Sequence, residues 1–85
     1  MMEPFDVPIQ RVYGRNVELL AFKRGWSVNY LAEQLDVTTQ VIHRLFSGRA
    51  RYIDPHLLGN IIELCNNEVD FNDLFSIQPG VYYGS

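Results

Sequence analysis

Four polar residues, Thr39, Gln40, His43 and Arg44, stand at i, i+1, i+4 and i+5. On a helix that spacing gathers them on one side. Every one of them can hydrogen-bond to a nucleobase edge or to a phosphate. An ordinary solvent-facing surface more often carries Glu and Lys, so this row of donors and acceptors is informative. Arg49 and Arg51 follow it closely. The chemistry such a row can do is recognition by hydrogen bonding, and a helix that carries it fits the width of the DNA major groove.

Bond-breaking chemistry has no comparable constellation. His43, His56, Glu63 and Cys65 are spaced by thirteen, seven and two residues. Those intervals match no zinc template, and the chain has one thiol. No Gly-rich phosphate loop, acid pair or Ser-His-Asp set occurs. The sequence therefore predicts a non-enzyme without metal or cofactor. Cys65 lies on an apolar stripe and is read as core, His43 as a base or phosphate contact, and His56 as surface.

The recognition row needs a short helix held at a fixed angle, and its flanks supply one. Ser27 sits where an N-cap belongs, and Leu31, Ala32 and Leu35 lay an apolar stripe on a helix over Val28 to Leu35. Asp36 and Val37 make a turn. Thr38 is the next N-cap, and a second helix is predicted over Thr39 to Phe46. Ile42 and Leu45 face inward, Val41 and Phe46 lie at the edges, and Ser47-Gly48 ends it.

The rest of the chain reads as scaffold. A first helix is predicted from about Arg11 to Arg24, buried along Tyr13, Val17, Leu20 and Ala21. Gly14 weakens its first turn, Lys23 and Arg24 suit its C-terminal dipole, and Gly25 stops it. Trp26 is read as a core plug. Asp54-Pro55 starts a fourth helix running to about Cys65 along Leu58, Ile61 and Ile62, closed by Asn66-Asn67. Asp70 caps a short fifth helix, Phe71 to Phe75. Residues 77–85 contain a Pro-Gly turn and are expected to be a tail or an edge strand. The domain organisation is thus an N-terminal arm over residues 1–10, an all-α five-helix domain over 11–76, and the tail.

Composition sets the outer bounds. The chain has 85 residues, 47% apolar and 20% charged, which suits one small globular domain. No apolar run reaches membrane-spanning length, no signal peptide pattern opens the chain, and a lone cysteine suits a reducing compartment. The net charge of −3 is unevenly spread. All seven basic residues lie between Arg11 and Arg51, where only three acids occur, a net +4. From Tyr52 onward there are five acids and no Lys or Arg, a net −5. Phosphate contacts dominate non-specific nucleic-acid affinity, so the basic part is where a duplex would sit.

These motifs together resemble the DNA-binding domain of phage repressors and Cro proteins, the lambda-repressor-like (XRE) helix-turn-helix family. The residues that carry the resemblance are Gly25-Trp26-Ser27, Leu31-Ala32, Val37, Ile42, Leu45 and Gly48. Leu58, Ile61, Ile62, Val69, Phe71 and Leu74 fall where the family places its fourth- and fifth-helix core, so the likeness covers about Tyr13 to Phe75. It implies that Thr39, Gln40, His43 and Arg44 touch base edges and that Ser47 and Arg49 touch phosphate. Family members often carry Gln at the first helical position of the motif, where this chain has Val28; Asn29 or Tyr30 can take over its phosphate contact. Asp36 stands where the turn usually has Gly, and Asp tolerates a left-handed backbone better than most residues. The loop at Asn66 to Glu68 is about two residues longer than the common pattern.

The combined expectation is a cytoplasmic, sequence-specific transcriptional regulator from a phage or prophage context. It would place the Thr39 helix in the major groove and hold phosphates with Asn29, Ser47, Arg49 and Arg51. A homodimer is expected, with the fifth helix and Val81-Tyr82-Tyr83 as interface candidates. The alternative on the same fold is a protein-interaction module without DNA binding, an antirepressor or regulatory subunit whose partner meets the acidic C-terminal half.

Overall fold

The computed structural model describes residues 7–83. It is all-α: α1 Ile9–Arg24, α2 Val28–Leu35, α3 Thr39–Ser47, α4 Pro55–Leu64 and α5 Phe71–Phe75. Among the described residues there is no strand, so residues 77–83 form an irregular segment rather than a sheet edge. No helix among them is long and apolar enough to cross a membrane. The proposed arm falls partly on residues 1–6, which lie outside the described residues, and α1 begins two residues before Arg11. Pro8 starts it, its carbonyl accepting from the amides of Arg11 and Val12 at 2.9 and 3.2 Å.

Local chemistry fixes the other boundaries. Ser27 Oγ accepts from the Tyr30 amide at 3.0 Å, and Asp54 Oδ1 from the His56 amide at 2.9 Å. Thr38 caps α3 through the Val41 amide at 3.4 Å. Asp70 and Asp73 cap α5 reciprocally, each side chain accepting from the other's amide at 3.0 Å. The first three helices end alike, on a left-handed residue: Gly25, Asp36 and Gly48. In each case the next amide reaches back five residues, as when Val37 donates to the Ala32 carbonyl at 2.9 Å. The long loop after α4 turns on two consecutive left-handed residues, Asn66 and Asn67, at φ 56° and 60°. Asn is among the few residues that adopt this conformation readily.

The core is formed by one face of each helix. Val17, Leu31, Ile42, Ile61, Cys65 and Leu74 are essentially sealed from solvent. α1 packs on α3 and α5, and α2 packs on α3 and α4. Trp26 is half-buried against this core, stacked on Tyr30 with Arg24 over its ring.

Gly14, which on propensity alone weakens α1, is what lets α1 meet α3. A Cβ there would lie 1.9 Å from the Leu45 carbonyl oxygen. Gly48 meets α1 from the other side, where a Cβ would lie 2.9 Å from Arg11 Cα. The two backbones touch where the first helix crosses the end of the third, and only a missing side chain permits it.

The C-terminal segment closes onto α1. Gln78 to Val81 turn on Pro79-Gly80, with Gly80 at φ 77° and the Val81 amide donating to the Gln78 carbonyl at 3.3 Å. Tyr83 is thereby returned to the body of the protein. Its buried hydroxyl donates to Asn16 Oδ1 at 2.6 Å. Asn16, buried in α1, donates through Nδ2 to the carbonyls of Leu74 and Ser76, both at 2.9 Å. One amide side chain thus holds α1, α5 and the tail together. Tyr83 therefore serves its own chain, whereas Tyr82 beside it is 78% exposed.

Candidate nucleic-acid interface

α3 divides cleanly into two faces. Ile42 and Leu45 are buried, Val41 and Phe46 lie at the margins, and Thr39, Gln40, His43 and Arg44 are all exposed. The turn Asp36-Val37-Thr38 fixes α3 against α2, and the α1 crossing fixes its C-terminal end. The four side chains thus project from a helix whose backbone is clamped at both ends. Arg44 lies in the last turn, where the helix dipole favours positive charge.

The side chains expected to hold phosphate are likewise exposed: Asn29 in the first turn of α2, Ser47 at the end of α3, and Arg49 and Arg51 in the loop to α4. Their availability differs. The Ser47 hydroxyl donates to the Arg44 carbonyl at 3.1 Å, so its single hydrogen is engaged within the helix end. A phosphate only accepts, and Ser47 can donate to one only by releasing that bond. Val28, standing where the resemblance expects Gln, is half-buried and packs against the core.

The basic residues fall into two groups. Arg24 bonds to Glu68 at 2.9 Å and lies over Trp26, so it ties the end of α1 to the loop after α4. Lys23 precedes it on the same helix. The other five gather around the C-terminal end of α3. Arg44, Arg49 and Arg51 line one cavity, and Arg11 and Arg15 line a smaller hollow with Phe46, Ser47 and Tyr82. Arg15 is partly neutralised by Glu18 at 2.7 Å. The charge asymmetry is therefore narrower in space than along the chain.

Arg11 and Arg15 were not assigned a role by the sequence, which treated the first helix as scaffold. A usable signal existed. They are four apart, hence on one helical face, and they bracket Gly14, the residue at which α1 crosses α3.

The larger cavity has a volume of about 580 Å³ and lies between α3, the loop to α4 and the start of α4. Tyr13 contributes to its wall. The Tyr13 ring stacks on Phe75 at 5.0 Å, and its buried hydroxyl has no hydrogen-bond partner among the described residues. Burial pushes the Tyr13 phenol far above its usual range, and the nearby Asp54 carboxylate acts in the same direction. Tyr13 is thus held as a neutral O–H donor. Cys65 is sealed in the core; burial raises its thiol, with Arg24 opposing and Glu68 reinforcing the shift. Nothing about it suits a thiolate nucleophile. Among the described residues no group of three His, Cys, Asp or Glu side chains is placed to hold a metal ion.

Compared with models of known protein families, with curated proteins and with solved structures, the chain finds no match.

Proposed function

We propose that this chain is a sequence-specific double-stranded DNA-binding transcriptional regulator that reads the major groove with α3. The observation that carries the reading is the exposed row Thr39, Gln40, His43 and Arg44 on a helix immobilised at both ends, with arginines clustered around its C-terminus. Gln40 has the geometry for a bidentate contact to adenine and Arg44 for one to guanine, with Thr39 and His43 assisting. Arg49, Arg51 and Asn29 hold phosphates and set the register, joined by Ser47 when its hydroxyl is released. The resemblance to lambda-repressor-like domains supports the same assignment. So does the confinement of all seven basic residues to the stretch from Arg11 to Arg51, where only three acids occur.

A single half-site gives little discrimination, so the reading includes a homodimer on two half-sites about 34 Å apart. The exposed apolar groups near the C-terminus, Phe71, Ile77 and Tyr82, are the candidates for that contact. Work on the cytoplasmic nucleoid of a bacterium, including a phage-infected one, follows from the same function.

The test is a selection from random duplex DNA with the purified chain, followed by mobility shifts on the selected site. Gln40→Ala and Arg44→Ala should each lose about 1–3 kcal/mol and relax specificity at one base pair. If both variants bind every duplex as the parent does, the proposal is wrong. Salt separates it from the protein-interaction reading, which the exposed Phe71, Ile77 and Tyr82 favour. Affinity that rests on several arginine–phosphate contacts falls steeply as salt rises, while docking on apolar surface does not.

A further inference from the structure

The cavity beside α3 has an apolar wall that DNA reading does not account for. Its volume of about 580 Å³ is within the range of small-molecule sites, about 300–1,000 Å³. Its apolar wall is Val37 and Val41 from the α2–α3 region, Ala50 from the loop and Leu57 from α4. Its polar wall is Arg44, Arg49 and Arg51, opposed by the single carboxylate of Asp54. The ion pairs among the described residues are Arg15–Glu18 and Arg24–Glu68, so these three guanidiniums are not ion-paired to any other described residue.

Tyr13 forms part of the wall beneath them. It is 3% exposed, it lines this cavity, and its hydroxyl hydrogen-bonds to nothing among the described residues. Buried polar groups in folded proteins are overwhelmingly paired. What an O–H donor lacks here is an acceptor. Three cations around an apolar floor describe the complement of an anion with an apolar body.

We infer that the cavity between α3, the 49–54 loop and α4 is an effector site for a small carboxylate with a flat apolar body. The carboxylate pairs with the arginines and the body lies on Val37, Val41 and Leu57. Guanidinium is suited to this task because it forms two parallel bonds to a carboxylate. Coupling to DNA is built into the site and rests on the function proposed above: Arg44 belongs to both surfaces, so a bound carboxylate withdraws it from the groove.

The experiment uses the full chain and 2-naphthoate as the probe, read by calorimetry and by amide NMR shifts. Saturable one-to-one binding is expected, with shifts confined to Val37, Val41, Ala50, Leu57 and the arginine loop. The neutral analogue 2-naphthylmethanol should bind about tenfold more weakly or worse, the loss of one charge-assisted contact. Arg51→Ala should weaken naphthoate by a similar factor. Ala50→Trp, on a loop and checked by its circular dichroism and melting curve, should fill the cavity and abolish binding. Absence of saturation, equal binding of the neutral alcohol, or shifts clustered elsewhere would each overturn the site, and all three are read on the unmodified chain. On the selected operator, saturating naphthoate should lower affinity at least about tenfold, the measure of losing a bidentate base contact. Unchanged affinity overturns the shared role of Arg44. A chain that binds naphthoate here yet no duplex at all keeps the site and rejects the DNA reading instead.

Discussion

Two places in this small protein collect polar side chains, and they are treated in opposite ways. At the junction of α1, α5 and the tail, Asn16 and Tyr83 are buried and bonded to one another, and Asn16 also holds two backbone carbonyls. On the outer face of α3, Thr39, Gln40, His43 and Arg44 stay exposed, while Ile42 and Leu45 beneath them carry the packing. Polar groups of the first kind hold the fold and are spent in doing so. Those of the second kind contribute nothing visible to it, which leaves them free for a partner. If this contrast is sound, substitutions sort into a class that changes stability and a class that changes recognition.

The largest expected effect lies where α1 crosses α3. Gly14→Ala puts a methyl carbon 1.9 Å from the Leu45 carbonyl oxygen, a clash with backbone that no side-chain rotation relieves. The helices must separate, and a loss of about 4 kcal/mol or more is expected, enough to unfold a marginal domain. Thermal unfolding followed by circular dichroism checks it. A stable, native-like Gly14→Ala would mean that the approach of the two helices is looser than described. Next is Asn16→Leu, which takes the partner from the Leu74 carbonyl and from the Tyr83 hydroxyl, while the Ser76 carbonyl keeps the Gln78 side-chain amide at 3.3 Å. With an unsatisfied buried group costing about 1–3 kcal/mol, a total near 3 kcal/mol is expected. That lowers the midpoint by about 12–24 °C for a domain of this size.

The same contrast explains what could be read from the sequence. Every helix was legible, because the determinants of a helix are local: Ser27, Thr38, Asp54 and Asp70 each cap the helix that follows within three residues of it. The exposed face of α3 was legible too, since Ile42 and Leu45 fix its rotation at a spacing of three. Long-range pairing was not. Asn16 and Tyr83 are 67 residues apart, and nothing near either one marks it as a partner, so the tail looked free until the fold brought it back. Gly14 misled for a related reason. Local propensity counts a glycine against a helix, and only the crossing partner shows why it is there. The arginine cluster is intermediate: Arg44, Arg49 and Arg51 are neighbours in sequence, whereas Arg11 and Arg15 join them only through that crossing.

Tyr83→Phe sharpens the comparison at smaller magnitude. The ring stays, the bond to Asn16 Oδ1 is lost, and the Gln78 amide, which donates to the same hydroxyl at 2.9 Å, loses its acceptor. A fall of about 1–2 kcal/mol is expected in denaturant unfolding, with the slope against denaturant unchanged. DNA affinity should not move, because the bond lies at the α1–α5 junction and not at α3. An equal loss of DNA affinity would mean that the two regions are coupled rather than separable.

The smallest expected effect is the most discriminating. Gln40→Ala and Arg44→Ala should leave unfolding free energy within about 0.5 kcal/mol of the parent, as for surface substitutions away from special features. Neither side chain is buried, and neither is ion-paired or hydrogen-bonded to another described side chain. Alanine is also the better helix former at both positions; at Arg44 that gain is offset by the lost interaction with the helix dipole, so little net change is expected. Chemical denaturation of the two variants beside the parent decides it. Should either variant lose as much stability as Tyr83→Phe, its side chain is part of the scaffold after all. Its exposed polarity would then no longer argue for a partner, and the case for α3 as a reading surface would fail on stability data alone, before any duplex is added.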